Sequence, residues 1–286
     1  MRVLLTGASG TIGEAILRSL VEHGHDVVAV RRAPGGSTGS QVEERVADLY
    51  EPGALRQVAE GVDAAVHAAS SNDERAGALD RSVVSDLLDA FAGTGKALVY
   101  TSGLWLHGSS GDGPIREESP LAPPAVVAWR PAIEELVAGG AAGGVRTVRI
   151  RPALVHGHGR GYVPWVLGVH PGPVVRIFGT GANRWSTVHV DDLADLYVRA
   201  VESAPAGSVY LGASERQSVR VAEIAQAVAD RAGARVESWK ADDAERTWGV
   251  MQEPFLLDQV ASGEKAYREL GWLPKRPGVL DDLNAR

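Results

Sequence analysis

Short runs of apolar residues alternate with segments of helical hydrophobic period along the first half of the chain. The runs predict β-strands, and the segments, in which apolar side chains recur every three or four positions, predict α-helices. The predicted strands span residues 3–5, 27–30, 42–46, 64–67, 97–101 and 145–150, and the predicted helices span residues 12–22, 52–61, 79–91 and about 131–137. Strands and helices that alternate in this way form parallel strands with crossover helices, so we predict an α/β fold with a doubly wound parallel sheet.

The second half of the chain is less regular. Glycine and proline break residues 155–173, which predicts an irregular loop with one short helix. Further strands are predicted at 188–190 and 209–211, and further helices at 192–201, 221–231 and 264–270. We expect a sheet domain from residues 1–155 with about 186–212, and a smaller C-terminal substrate lobe from about 156–185 with 213–286.

A glycine-rich turn, TGASGTIG, joins the first predicted strand to the first predicted helix. Gly7 permits a tight turn, Gly10 lets the backbone approach a diphosphate, and Gly13 lets the helix pack closely on the strand. The helix N-terminus then faces the negative charge of the diphosphate. This context predicts a dinucleotide-binding Rossmann domain; the alternative is a tight turn that binds nothing. The cofactor-binding residues predicted in the turn are Gly7, Ser9, Gly10, Thr11, Ile12 and Gly13.

The end of the second predicted strand indicates which dinucleotide is preferred. An acidic residue there would accept hydrogen bonds from the ribose hydroxyls of NAD, but this chain has Arg31 and Arg32. Arginine pairs well with a 2′-phosphate, so NADP(H) is favoured over NAD(H). The alternative is a pair of solvated arginines. The loop 34–40 that follows is rich in glycine, serine and threonine.

Two further strand ends are expected to border the cofactor. Asp48 and Leu49 follow the third predicted strand and are placed beside the adenine. Ala68, Ala69 and Ser70 follow the fourth, where small side chains let the cofactor backbone pass closely.

Six segments spread over almost the whole chain form a characteristic set: TGASGTIG, HAAS, YTSG, RPALVHG, RWSTVHVDDLA and SGEKAYRELGW. Together they resemble the extended short-chain dehydrogenase/reductases, also known as the NAD-dependent epimerase/dehydratase family. The resemblance implies catalysis by a Tyr-x-x-x-Lys pair with a serine or threonine from the end of strand five. In that family the lysine lowers the pKa of the tyrosine, which exchanges a proton with the substrate as hydride moves.

The catalytic residues of the family are missing from this chain. None of the six tyrosines has a lysine four residues later. Alignment with the family places its tyrosine at Val126, its lysine at Arg130 and its serine or threonine at Gly103, with Ser102 one residue earlier. The chain therefore resembles an atypical, triad-less member. Arg130, as a fixed cation for the ribose hydroxyls, and Thr101 complete the predicted cofactor site.

Another residue must then donate the proton. Hydride transfer itself needs mainly positioning, and an activated substrate tolerates weaker acid catalysis. The candidate proton donors are Tyr162, His156, Ser102 and His107. Tyr162 lies in the loop after strand six. Structural roles are the alternatives: a buried histidine for His156, and backbone hydrogen bonding at a strand end for Ser102.

Tryptophans and one arginine are the candidate substrate residues. Trp105, Trp129 and Trp165 fall in segments that should border the cleft, which indicates a flat, hydrophobic or aromatic ligand, although tryptophan is also a common core residue. Arg184 aligns with a phosphate-binding position of sugar-nucleotide family members. It is expected either to bind an anionic substrate or to be simply exposed.

No metal site is predicted. The HGH segment at 156–158, with His170, lacks a nearby acidic residue and the spacing of known zinc motifs. His189 with Asp191 and Asp192 is expected to fix a strand-to-helix junction and cap the helix.

Charge and composition narrow the partners. The 286 residues carry 29 basic and 36 acidic side chains, a net charge of −7, which argues against nucleic acid and anionic membranes. The chain has no cysteine, which excludes disulfides, thiol nucleophiles and cysteine-ligated metals. Its apolar runs are too short for a membrane helix or a signal peptide, so a cytoplasmic protein is expected. A homodimer is one option for its oligomeric state.

The combined prediction is an NADP(H)-dependent oxidoreductase that reduces an activated carbonyl, imine or olefin of a small hydrophobic molecule. Two alternatives remain open. One is an NADP-binding regulatory module without turnover. The other is a non-redox isomerase, cyclase or lyase, because fold alone does not define function.

Overall fold

The computed structural model describes residues 1–33, 35, 40–170 and 172–284, and it assigns fourteen strands and eleven α-helices among them. Most of the predicted loop 34–40 lies outside the described residues. The strands are β1 (Arg2–Thr6), β2 (Asp26–Arg31), β3 (Val42–Val46), β4 (Ala64–His67), β5 (Ala97–Thr101), β6 (Arg146–Pro152), β7 (Leu154–Gly157), β8 (Arg160–Gly161), β9 (Val169–His170), β10 (Val174–Ile177), β11 (Arg184–His189), β12 (Ser208–Gly212), β13 (Ser218–Arg220) and β14 (Arg235–Ser238). The helices are α1 (Thr11–Glu22), α2 (Ala54–Val58), α3 (Ala76–Phe91), α4 (Arg130–Gly139), α5 (Tyr162–Val166), α6 (Val190–Ser203), α7 (Val221–Ala232), α8 (Ala241–Trp248), α9 (Gln252–Phe255), α10 (Glu264–Leu270) and α11 (Val279–Asn284).

Seven parallel strands form the central sheet, in the order β3-β2-β1-β4-β5-β6-β12. The chain builds outward from β1 to β3 and then crosses back to β4, so the direction of winding reverses between β1 and β4. This confirms the doubly wound α/β fold. In such sheets ligands bind at the carboxyl ends of the strands, beside the point of reversal.

Helices cover both faces of the central sheet. Val3 and Leu5 of β1 are fully buried in a core cluster that also contains residues of α1 and α6. Leu4, which faces the opposite way, is buried with residues of α2 and α3. Strand β1 is therefore apolar on both sides, as its continuous apolar run predicted. Among the described residues, no helix is both long enough and apolar enough to cross a membrane.

Helix α2 begins later than predicted. The sequence placed its start at Pro52, but the helix begins at Ala54, after Gly53 in a left-handed conformation with φ of +85°. The cap comes from α3, because the carboxylate of Asp86 accepts hydrogen bonds from the N–H groups of Gly53 at 2.7 Å and Leu55 at 3.0 Å. A long-range carboxylate, invisible in the local pattern, thus sets the helix start.

Two small sheets lie outside the central one. One has the order β13-β11-β7-β8 and the other β14-β10-β9. The irregular loop predicted at 155–173 is wrong in part, since most of β7 and all of β8 and β9 lie there with α5. The strand predicted at 188–190 is β11, which runs from Arg184 to His189 and belongs to a small sheet. The division of the chain into a sheet domain and a lobe stays a prediction.

The junction between β11 and α6 shows why Val190 is helical rather than extended. The Nδ1 atom of His189 accepts a hydrogen bond from the N–H of Asp191 at 3.2 Å, so the histidine side chain caps the helix. This confirms the role predicted for His189 at this junction.

Candidate functional site

The glycine turn between β1 and α1 is shaped by two close backbone approaches. Gly7 has φ of +78°, and a Cβ atom there would lie 2.5 Å from the carbonyl oxygen of Ala68. A Cβ atom on Gly13 would lie 2.0 Å from the carbonyl oxygen of Gly7, so only glycine lets the first turn of α1 approach the end of β1 this closely. At Gly10 the nearest described atom to a Cβ would be the Gly7 oxygen, at 3.4 Å. The turn is therefore open to a ligand at Gly10.

The N-terminus of α1 faces this opening. Gly10 is its N-cap residue and supplies no side-chain cap, so the first N–H groups of the helix are available to an acceptor. Ser9 is exposed, and Thr11 and Ile12 are partly buried in the first turn. These features fit the diphosphate of a dinucleotide.

A chain of buried polar side chains runs beneath the turn. The Oγ1 of Thr6 lies 2.7 Å from Nδ1 of His67, whose Nε2 lies 3.2 Å from the carboxylate of Asp80. Tyr100 donates a hydrogen bond to the other oxygen of Asp80 at 2.6 Å. The backbone N–H groups of 68–69 donate to Thr6 Oγ1 at 3.3 and 3.4 Å. The network thereby ties the ends of β1, β4 and β5 to α3.

Arg31 and Arg32, at the end of β2, occupy different environments. The Nε of Arg31 lies 2.5 Å from a carboxylate oxygen of Glu44, on the neighbouring strand β3. Arg32 is exposed. A carboxylate already opposes the charge of Arg31, which the sequence did not predict. Arg32 forms no ion pair with any described residue, so no carboxylate among them offsets its positive charge.

The other predicted cofactor residues lie at strand ends on the same edge of the sheet. Asp48 is exposed, and its carboxylate accepts a hydrogen bond from the N–H of Tyr50 at 3.0 Å, while Leu49 is partly buried. Ala68 and Ala69 are partly buried, and Ser70 is exposed. Their assignment to the cofactor remains a prediction.

At the end of β5, Thr101 and Arg130 are joined. The guanidinium of Arg130 donates a hydrogen bond to the carbonyl oxygen of Thr101 at 2.9 Å and lies 4.5 Å from the ring centre of Trp129. Trp129 in turn packs on Gly77 of α3, where a Cβ atom would come within 3.2 Å of the indole. Within the described part of the chain the buried Nε of Arg130 has no hydrogen-bond partner. Arg130 is thus a fixed cation with an unused donor.

Tyr162, at the start of α5, lies among aromatic rings. Its ring centre is 5.3 Å from that of Trp105, 5.7 Å from that of Trp165 and 6.1 Å from that of Phe255. Burial raises the pKa of Tyr162, and the positive charge of Arg130 opposes that rise. The phenol therefore stays protonated at neutral pH and is within electrostatic reach of Arg130.

The substrate tryptophans divide into two groups. Trp105 and Trp165 both contact Tyr162, and Trp165 is 54% exposed. Trp129 instead stacks on Arg130, so it supports that cation.

Ser102 and His107 belong to a buried network behind β5. Arg151 forms a bidentate ion pair with Glu134 at 2.9 and 2.6 Å and also contacts Nε2 of His107 at 2.9 Å. Ser102, which is 7% exposed, helps Arg151 to lower the pKa of Glu134. Burial and the charge of Arg151 lower the pKa of His107 to about 4. These contacts give His107 a structural role, so it is not retained as a proton donor. The role of Ser102 as a proton donor stays a prediction.

His156 is also buried, at 2% exposure, in β7. Its Nδ1 lies 3.5 Å from the carboxylate of Asp282, and its ring makes an edge-to-face contact with His189 at 5.3 Å. This environment favours the structural alternative for His156.

Three neighbouring side chains among the described residues are close enough together to coordinate a metal ion. Ligand atoms of His158, His189 and Asp191 lie within 4.8 Å of one another. The expectation that no acidic residue joins these histidines is wrong, since His158 Nε2 lies 3.1 Å from Asp191. However, Arg18 donates to the same carboxylate at 2.5 Å, and His189 Nδ1 already accepts the N–H of Asp191. We therefore assign no metal.

Arg184 forms an ion pair with Asp258, and its predicted role as an anion-binding residue stays a prediction. Its Nε and Nη2 atoms lie 2.9 and 2.6 Å from the two carboxylate oxygens, and its backbone N–H donates at 2.7 Å. This pair lowers the pKa of Asp258. The arginine charge is thus balanced within the chain.

The positions of the missing triad are structurally permissive. Gly103 has φ of −173°, and no described atom lies within 4 Å of where its Cβ would be. Val126 lies in a 3₁₀ turn, Ala125–Val127, and its carbonyl oxygen accepts a hydrogen bond from the indole of Trp129 at 3.2 Å.

Sequence reasoning missed Tyr197 of α6. Its hydroxyl donates to Oγ1 of Thr101 at 2.7 Å. It also missed Asp258 and Phe255, which come together with Arg184 and Tyr162 across long sequence separations. The period of α6 placed Tyr197 on a buried face, but nothing local indicated its partner.

Comparison with known proteins agrees with the fold. The family model described as the NAD dependent epimerase/dehydratase family matches residues 3–212. An uncharacterized protein of Saccharomyces cerevisiae is 30% identical, with 100% of this chain and 98% of that protein covered. The 2-alkyl-3-oxoalkanoate reductase of Stenotrophomonas maltophilia is 28% identical over 96% of this chain and 95% of its own length. The solved structure of MoeE5 in complex with UDP-glucuronic acid and NAD has a TM-score of 0.81 at 22% identity, with 100% and 97% of the two chains covered.

A doubly wound sheet with a glycine turn at its point of reversal defines a Rossmann-type protein. The match over most of the chain identifies its family: the protein belongs to the NAD-dependent epimerase/dehydratase family, the extended short-chain dehydrogenase/reductases.

Proposed function

We propose that the protein is an NADP(H)-dependent oxidoreductase that reduces an activated carbonyl, imine or olefin of a small hydrophobic or aromatic molecule without the Ser-Tyr-Lys triad. The observation that carries this proposal is the position of Tyr162, a phenol in contact with the rings of Trp105, Trp165 and Phe255. Burial raises its pKa, and the charge of Arg130, which is hydrogen-bonded at the end of β5, opposes that rise.

The residues of the glycine turn fit a nicotinamide dinucleotide. Space at Gly10, the uncapped start of α1 and the unused Nε of Arg130 are the features that support it. The similar MoeE5 structure contains NAD. The preference for NADP(H) rests on Arg32, which is exposed and forms no ion pair with any residue that the structure describes, so it meets a 2′-phosphate at the least electrostatic cost.

The chain's own residues supply binding and the proton. A bound NADPH supplies a hydride to the substrate. Arg130 holds the ribose hydroxyls in the position of the family's lysine. Tyr162 donates a proton to the substrate oxygen or nitrogen, and its raised pKa favours the protonated state that a reduction requires.

The surroundings of Tyr162 favour an uncharged, planar substrate. Trp105 and Trp165 offer aromatic rings backed by the buried Phe255, while Arg184, the predicted anion-binding residue, forms an ion pair with Asp258. The relative named 2-alkyl-3-oxoalkanoate reductase acts, by its name, on a 3-oxo carboxylate, which supports reduction of a carbonyl group although that substrate is charged.

Tyr162→Phe tests the proton donor. Using phenanthrenequinone as a planar activated carbonyl, we expect single-turnover NADPH oxidation to fall by roughly 10²-fold while NADPH affinity is unchanged. Tyr267→Phe is the matched control, since Tyr267 lies on α10 and is 57% exposed. Equal rates for Tyr162→Phe and the parent would refute the assignment.

Arg130→Met tests the cofactor contact by a binding measurement that needs no turnover. We expect NADPH affinity, followed by calorimetry, to fall about 10- to 150-fold through loss of charged hydrogen bonds. Tight NADPH binding with no hydride transfer to any aromatic aldehyde, quinone or enone would instead identify a regulatory module.

A further inference from the structure

Thr101 is held from two sides at the carboxyl end of β5. Its backbone carbonyl accepts a hydrogen bond from Arg130 at 2.9 Å, and its Oγ1 accepts one from the hydroxyl of Tyr197 at 2.7 Å. The residue is also paired in the sheet with Ile150 of β6. Both the position and the hydrogen bonding of its side chain are therefore fixed by the fold.

The direction of the bond between Tyr197 and Thr101 follows from burial. Tyr197 is 0% exposed, and burial raises its pKa. Among the described residues, Thr101 is the one hydrogen-bond partner of its hydroxyl. A buried O–H without an acceptor costs about 1–3 kcal/mol, so the phenol must donate its proton to Thr101. The phenol does not ionise near neutral pH, and the direction is constant.

The consequence falls on the proton of Thr101 itself. Its oxygen accepts from Tyr197, so its own O–H must donate elsewhere. Thr101 is partly exposed, and the open space at Gly103 begins two residues later. The hydroxyl thus offers a donor at the carboxyl edge of the sheet, one strand beyond the point of reversal between β1 and β4.

We propose that Tyr197 is a positioning residue that makes Thr101 a hydrogen-bond donor to the substrate oxygen. This inference rests on the proposed function. As a carbonyl is reduced, negative charge develops on its oxygen, and a preorganised donor stabilises that charge. Thr101 keeps its proton throughout. The proton that the product oxygen gains comes from Tyr162, which regains one from solvent.

A phenolate probe tests the donor without turnover. We would titrate para-nitrophenolate into the NADP⁺-saturated protein, because this planar oxyanion resembles the charged oxygen and its absorbance reports binding. Thr101→Val should weaken nitrophenolate binding about 10-fold or more, as loss of a charge-assisted bond predicts, and should weaken NADPH binding by a clearly smaller factor, since Arg130 and the glycine turn still hold the cofactor. Tyr197→Phe should weaken it about 2- to 10-fold, because the threonine hydroxyl is then free to turn away.

The double variant separates positioning from a general structural effect. If Tyr197 acts through Thr101, adding Tyr197→Phe to Thr101→Val should produce no further loss of nitrophenolate affinity. Tyr210→Phe is the control. Its buried ring lies in β12 of the same sheet, and its hydroxyl donates to Glu269 at 2.9 Å, so it should lower the melting temperature without changing probe affinity.

Four results would overturn the proposal. The first is that the parent shows no saturable binding of nitrophenolate, and the second is that Thr101→Val binds nitrophenolate as tightly as the parent. The third is that Tyr197→Phe lowers nitrophenolate affinity by the same factor in the parent and in Thr101→Val. The fourth is that Thr101→Val loses affinity for NADPH and keeps its affinity for nitrophenolate. This fourth result would mean that the Thr101 hydroxyl binds the cofactor rather than the substrate. A failure of the proposed function itself is separate, since it appears as absent hydride transfer in a parent that still binds the probe.

Discussion

The carboxyl ends of β1 and β5 lie two strands apart on the same edge of one sheet, yet they are built by opposite means. At β1 the chain removes side chains, because Gly7 and Gly13 lie so close to backbone that a methyl group would collide. At β5 it adds them, with Arg130 from α4 and Tyr197 from α6 both bonded to Thr101. The first end depends on local sterics and the second on side chains that meet from distant parts of the chain.

This difference explains how a family member can lose its triad and keep its fold. A steric requirement leaves little choice of residue, whereas a proton donor and a cation can be supplied from other elements. In the proposed function Arg130 supplies the cation and Tyr162, from α5, supplies the proton. If the two strand ends are independent, a substitution at one of them should not change the property that depends on the other.

The largest expected effect is at the β1 end. Gly13→Ala places a Cβ 2.0 Å from the Gly7 oxygen, so we expect a loss of about 3 kcal/mol in unfolding free energy together with loss of nucleotide binding. Gly10→Ala has room and an ordinary extended backbone, with φ of −81°. It should unfold like the parent but bind NADPH at least about 10-fold more weakly. Equal free energies of unfolding in urea for Gly13→Ala and Gly10→Ala would contradict the steric difference between these two positions.

The β5 end should be the more sensitive to acid. Folding lowers the pKa of His107 from 6.5 to about 4. The stability tied to this residue is therefore complete above pH 6.5, declines as the unfolded chain alone takes up the proton, and reaches its minimum near pH 4. The loss is on the order of 3 kcal/mol at most.

Urea unfolding across this pH range measures the effect. His107→Asn, which can still accept from Arg151 and donate to the carbonyl of Pro120, should flatten the curve. The same substitution at the exposed His23 should leave it unchanged. A parent whose stability is level from pH 6.5 to 4 would contradict the expected burial of a neutral imidazole.

Nucleotide preference should respond unequally to the two arginines of β2. Arg32→Ser is expected to weaken NADPH binding about 10- to 150-fold and to leave NADH binding unchanged, since it removes charged bonds to the 2′-phosphate. Arg31→Ser should have a smaller effect, because Glu44 already opposes that charge. Calorimetry with both nucleotides decides, and equal affinity of the parent for NADPH and NADH would remove the basis of the preference.

The smallest effect is expected at Val126, the former tyrosine position. Val126→Ala should change turnover by less than about 3-fold, because a valine transfers no proton and its contact with Trp129 is made through backbone. Loss of turnover comparable to that of Tyr162→Phe would show that α4 is misaligned with the family.

Sequence alone predicted the elements whose apolar pattern is strong. The strands at 64–67 and 97–101 have the predicted bounds, because polar residues end their apolar runs, and the helix at 264–270 ends as predicted before Gly271. The strand at 42–46 also has the predicted bounds, although only two of its five residues are apolar. The short strands of the two small sheets were missed, since β8 and β9 have only two residues each and no period can show in so few.

The site divides in the same way. The glycine turn could be predicted from sequence because the need for glycine there is steric and the whole turn lies within eight consecutive residues. Tyr197 and Asp258 were not, because their partners Thr101 and Arg184 are 96 and 74 residues away in sequence. An ion pair or hydroxyl contact of that kind leaves no trace in local periodicity.

Gly103 has a consequence for how such a protein can change over time. The backbone there is extended, with φ of −173°, and the described atoms leave its Cβ position clear. Nothing in the folding of the chain obliges this residue to be glycine, in contrast to Gly7 and Gly13. A serine can be introduced there by one substitution without disturbing the sheet, so this edge of the sheet can accept a further hydroxyl without any change in the fold.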